Sequence, residues 1–99
     1  MTSVLLYTVK PGVPENEVLE ELSRQIGEAW KPLGRRLNFD EAELTGFHKG
    51  NEEYSEKAYQ MMLCWKQREG HLATYQVLSG ALCHRLVGKT SLAEKFCCK

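Results

Sequence analysis

Three histidines, four cysteines and one acidic cluster are the side chains in this 99-residue chain whose types could do chemistry. A Cys83–His84 pair joined by Cys64, Cys97 and Cys98 would supply zinc ligands, but the spacing fits no known ligand pattern. Small buried thiols in a helical core are the simpler reading. Adjacent Cys97 and Cys98 make a poor disulfide, so the four read as reduced thiols of an intracellular protein. His48, His71 and His84 lie in separate segments, and no serine or cysteine has a context suggesting activation. Asp40, Glu41 and Glu43 sit close enough to suggest an acid–base pair. At the head of a short helix, capping and solvation account for them better. No catalytic residue, metal or cofactor is expected.

Length and composition point to one soluble domain. Hydrophobic residues make up 42% and charged residues 26%, enough for one modest core under a solvated surface. Formal net charge is zero, with 13 basic against 13 acidic residues, so the totals favour neither nucleic acid nor an acidic membrane. The opening Ser3–Tyr7 run is too short to span a bilayer and lacks the flanks of a signal peptide. A cytoplasmic location is expected.

The element that organises the chain is the stretch 56–70. Ala58, Met61, Met62 and Trp65 recur at three- and four-residue steps and share one helical stripe, while Lys57, Lys66, Gln67 and Arg68 take other faces. Gly70 ends it. Ahead of it, Pro14–Glu17 reads as a first helical turn leading to Val18, Leu19, Leu22 and Ile26, with Gly27 as the stop. A second helix over 29–37 carries Trp30, Leu33 and Leu37 on one face and ends near Asn38. Asp40 heads a third, short helix with Glu43 in capping-box register, anchored by Leu44 and Phe47. A polar loop is expected over 48–53. After Gly70, Ala73 or Thr74 opens a fifth segment whose apolar set is Leu72, Val77, Leu78, Ala81, Leu82 and Leu86, and Gly80 is placed to admit a close neighbour. Ser91–Cys98 forms the last helix. The pattern predicts an all-α, six-helix antiparallel bundle over residues 14–99, with residues 1–13 as an N-terminal arm or linker.

The order IGEAWKPLGRRLNF, an acidic short helix, EKAYQMMLCWKQREG, ATYQVLSGALCHRL and SLAEKF resembles the death domain, over most of the chain. The pieces are similar to death domains of a receptor-interacting kinase and of caspase-recruiting adaptors. Pro32 inside the second helix, Gly34 in place of a common alanine, and apolar Leu63 and Cys64 depart from the pattern. The resemblance implies a death fold and a non-enzymatic module that binds other death domains, coupling a receptor, adaptor or kinase in apoptotic or NF-kappaB-type signalling.

Charge arrangement supplies the expected contact residues. Lys31, Arg35 and Arg36 give the second helix a basic outer face, and Asp40, Glu41, Glu43, Glu52 and Glu53 make the next region acidic. Opposed patches of this kind let a domain stack with copies or relatives, basic face on acidic face. By its position, Arg35 matches a basic residue that death-domain relatives use for partner contact. Expected partners are death-domain proteins and further copies of the chain, with neither nucleic acid nor membrane. A tryptophan-containing helix-turn-helix built on Trp30, Lys31, Arg35 and Arg36 is the alternative, but a DNA reader shows a basic stripe and a positive total. A death-domain-like module inside a scaffold protein is the third reading.

Overall fold

The computed structural model describes residues 8–99. At its centre lies the longest helix, which spans Tyr54–Glu69 and buries Ala58, Met61, Met62 and Trp65. The other helices of the N-terminal half dock on that apolar stripe. In chain order the elements are α1 (Asn16–Ile26), α2 (Trp30–Arg36), α3 (Glu41–Gly50), α4 (Tyr54–Glu69), α5 (Tyr75–Cys83) and α6 (Thr90–Cys97), with 3-10 turns at Gly27–Ala29 and Gly70–Leu72. Helix α4 packs against α1, α2 and α3, while α6 packs against α5 and α1. The described residues are all-α, and one bridge between Val9 and Cys98 is their sole β-type pairing.

Both tryptophans are dry, at 2% exposure each, in one cluster with Leu19, Leu22, Leu33, Leu44, Leu78 and Leu82. Burying an indole removes one of the largest apolar surfaces a chain owns, and two in one cluster set where the helices converge. The stops also follow local chemistry. Gly27 and Gly70 take φ of 58° and 59°, a region that glycine reaches without a side-chain penalty. Asn38, at φ 74°, ends α2 with a paired closure: Asn38 N–H donates to Arg35 O and Phe39 N–H to Gly34 O. That is the pattern in which a left-handed residue satisfies the last helical carbonyls, with Phe39 buried behind it.

Gly34 has a packing reason. A Cβ there would stand 2.6 Å from Leu44 Cδ2, so a side chain would force α3 away from α2 unless Leu44 moved. Pro32 falls in the first turn of α2, where the missing N–H has no helical partner to lose.

Several expectations are corrected. Helix α1 starts at Asn16, and Pro14 is buried ahead of the cap. Residues His48, Lys49 and Gly50 belong to α3, and α4 begins at Tyr54. Helix α5 ends at Cys83, because the chain turns at His84–Gly88 before Leu86 can join the helical stripe. As a result Leu86 is 55% exposed, and Leu72 before α5 and Val77 within it are also exposed, at 59% and 46%. No atom lies within 4 Å of a Cβ built on Gly80, so no neighbour uses the space it leaves. Lys57, assigned to a solvent face, is buried. Its ammonium donates to His48 Nδ1 at 2.9 Å and lies 5.3 Å from the Tyr54 ring centre.

The N-terminal arm is packed over its described part. Lys10 N–H donates to Cys97 O, Lys99 N–H to Thr8 O and Tyr75 N–H to Gly12 O, tying residues 8–12 to the start of α5 and the end of α6. The apolar run Val4–Tyr7 lies outside the described residues.

Candidate interaction surface

The acidic third helix is anchored by its own cap. Asp40 N–H donates to Glu43 Oε1 at 2.9 Å and Glu43 N–H donates to Asp40 Oδ1 at 2.8 Å, the reciprocal pair expected from the sequence. Glu43 has a second oxygen, Oε2, which accepts from Arg68 on α4. The Arg68 guanidinium also lies over Phe39, 4.4 Å from the ring centre, and Phe39 meets Phe47 edge to face. One carboxylate therefore caps α3 and joins it to α4. The bond to Glu43 raises the pKa of Arg68 above its already high value.

Arg35 and Glu41 meet across the α2–α3 corner. Arg35 Nε donates to Glu41 Oε2 at 2.6 Å and Nη2 to Oε1 at 3.2 Å, a fork-to-carboxylate arrangement. The hydrogen bond from Arg35 holds the Glu41 carboxyl below its usual range, with Lys31 adding a weaker pull, and Glu41 in turn raises Arg35. Both groups are solvated, so the pair orients the corner more than it stabilises the fold. These two residues, expected on opposed patches, are in contact, because the turn at Asn38–Asp40 folds α3 back beside the end of α2.

The next residue has a different setting. Arg36 is half-buried and turns inward, with Nη1 at 3.3 Å from His84 Nε2 and a buried Nε that has no hydrogen-bond partner among the described residues. Lys31 is half-buried too, whereas Glu52 and Glu53 are exposed beyond the end of α3. The structure thus brings Lys31, Arg35 and Glu41 to one corner, gives Asp40 and Glu43 to the cap, moves Arg36 to the α5 side, and leaves Glu52 and Glu53 apart.

Two features lay outside the sequence reading. A groove of about 670 Å³ runs between α1 and α4, lined by Glu20, Arg24, Glu53, Ser55, Glu56 and Tyr59 with Ser23 at its base. The second is the turn after α5, where Val87 N–H and Gly88 N–H both donate to His84 O, and Arg85 and Leu86 project from the tip. One signal was available in the sequence. No acidic residue occurs between Glu69 and Glu94, while His71, His84, Arg85 and Lys89 do.

The cysteines are free, from exposed Cys83 to fully buried Cys97. Burial pushes the Cys97 thiol up to about 12, with neighbouring Cys98 adding to the effect. Among the described residues no helix is long and apolar enough to cross a membrane.

An all-α domain with a dry two-tryptophan core and a charge-patterned exterior is the class defined by this fold and surface. The death-domain family model matches residues 16–95, and the chain belongs to that family, whose members are protein-interaction modules. The chain is also similar to THO complex subunit 1 of Homo sapiens, 31% identical over 78 residues, and to the Mus musculus protein of the same name, 30% identical over 78 residues. Each match covers 79% of this chain and 12% of the relative, so the chain spans about an eighth of the length of those proteins.

Proposed function

We propose that this domain is a non-enzymatic module that makes homotypic contacts, binding other death domains or further copies of itself through charged surfaces. The observation that carries the reading is a death-domain fold with an acid-lined α1–α4 groove and a basic turn after α5. Complementary charge sets register and association rate between like folds, and modest rim pairs keep such contacts reversible. On the expected surface, Arg35 with Lys31 and Arg36 contacts a partner's acids, and Asp40, Glu41, Glu43, Glu52 and Glu53 meet a partner's bases. A cytoplasmic location and apoptotic or NF-kappaB-type signalling are the setting that the resemblance to kinase and adaptor domains implies.

A second setting is favoured by the relatives. Their name describes a subunit of a complex, and the matched region is a small part of each. In that setting the domain is an attachment point within a larger scaffold, and homotypic binding holds subunits together.

Capture of a panel of purified death domains on the immobilised chain tests the proposal. Salt-sensitive binding of at least one member, or of the chain to itself, is expected. Failure to bind any of them, itself included, overturns the homotypic reading. In the same assay Arg35→Glu, which sets a second carboxylate beside Glu41, is expected to reduce capture with the helical circular dichroism unchanged.

A further inference from the structure

We infer that the turn joining α5 to α6 is a preformed basic tip that docks into the acid-lined α1–α4 groove of a second copy of this chain. The inference rests on the homotypic reading and assigns it a pair of faces.

The tip is held from below. Two N–H groups, of Val87 and Gly88, converge on His84 O at 2.9 and 2.8 Å, and Lys89 N–H reaches back to Leu82 O at 2.9 Å. Gly88 takes φ 67°, which lets the backbone reverse into α6. Leu86 N–H donates to His84 Nδ1 at 3.1 Å, and the other ring nitrogen, Nε2, lies against Arg36 Nη1 without accepting from it. A turn tied at this many points presents Arg85 and Leu86 with little conformational freedom left to lose on binding. A single exposed leucine is ordinary. Here it sits at the apex of a tied turn beside Arg85, with Arg36 beneath, which is the composition of a contact site: an apolar point within a polar rim. No carboxylate lies within 4 Å of Arg36, Arg85 or Lys89 among the described residues.

The groove is the complement. Glu20, Glu53 and Glu56 line it with one cation, Arg24, and none of the three acids is in an ion pair among the described residues. Tyr59 gives the groove an apolar and aromatic wall for a leucine. The two features belong to different parts of the same surface, so the contact is heterologous: each copy offers one tip and one groove, and association propagates until a ring closes. Zero formal net charge removes the global repulsion that would oppose it.

Sedimentation velocity on the full chain, with and without added salt, tests this assignment. The wild type is expected to self-associate with concentration and to lose most of that association when salt is raised severalfold. Arg85→Glu and Glu56→Arg, both on exposed positions, are each expected to weaken association at least tenfold with unchanged circular dichroism. An equimolar mixture of the two variants is expected to recover association, since the reversed tip faces the reversed groove at one junction and a wild-type tip meets a wild-type groove at the next. Wild-type self-association that Arg85→Glu leaves intact, or a mixture that stays monomeric, overturns the pairing of faces while homotypic binding stands. A monomeric wild type that still captures other death domains overturns the second copy as occupant. A chain that binds neither itself nor any death domain removes the homotypic reading with it.

Discussion

Adjacent arginines of one short helix turn to two different corners of this domain. At the α2–α3 corner, Arg35 is engaged by Glu41 through two hydrogen bonds, and Glu43 is divided between the α3 cap and Arg68. At the α5–α6 turn, the bases have no acid within 4 Å among the described residues, and Arg36 leans on an imidazole. The first corner is neutralised from within; the second is left with its charge. A basic residue in sequence is therefore a different object depending on which neighbour the fold delivers, and partner surfaces are better sought where charges have none.

One core lies under both corners, and the largest expected effect breaks it. Trp65→Ala should cost about 3–5 kcal/mol in chemical denaturation, a large part of the stability of a domain this size. Both corners should be lost together in one cooperative transition. Separate transitions would show that the corners rest on different supports.

A cap deletion sharpens the α2–α3 side. Asp40→Ala removes the acceptor for Glu43 N–H and should lower stability by about 1 kcal/mol in thermal melts. Association through the α5–α6 turn should be unaffected, and parallel loss of both would mean the corners are coupled.

Thiol chemistry tests the two ends of the α5–α6 pair. Cys83 should react with a thiol reagent at mild alkaline pH in the native state, while Cys97 should react only on unfolding. The sign of the pH effect follows. Cys97 keeps its proton to about 12 in the fold but loses it nearer 9 when unfolded. Stability should then fall as pH rises above 9, and Cys97→Ala should flatten that slope. Equal labelling rates at both cysteines would contradict the burial.

Arg35→Ala should have the smallest effect on the fold. Its ion pair is solvated, so the melting temperature should not move measurably. Acidification should do as little: Glu41 is depressed by Arg35, so the pair persists above the unfolded carboxylate range and is lost as pH falls through the lowered value. A clear drop in stability for Arg35→Ala would mean that the neutralised corner is structural after all.

Much of the fold was legible because its signals are local. The stripe Ala58, Met61, Met62 and Trp65, the Asp40–Glu43 box, and the stops at Gly27, Asn38 and Gly70 depend on residues within a turn or two of one another. Less was legible at the surface. Lys57 looks solvent-facing until His48 and Tyr54 come to meet it. Leu86 continues the apolar spacing of α5, yet the turn at His84 carries it out to solvent. The pairing of Arg35 with Glu41 joins residues close in sequence, but its geometry depends on the chain reversing at Asn38.

The sequence by itself determined the stops at Gly27, Asn38 and Gly70, which stripes are apolar and that two tryptophans need burial, because hydrogen bonds within a helix and side-chain periodicity are short-range. Tertiary structure alone decided which charges are cancelled and which remain. Whether a carboxylate stands within hydrogen-bonding distance of a guanidinium depends on how separate helices pack, and that packing is settled by the shared core beneath them.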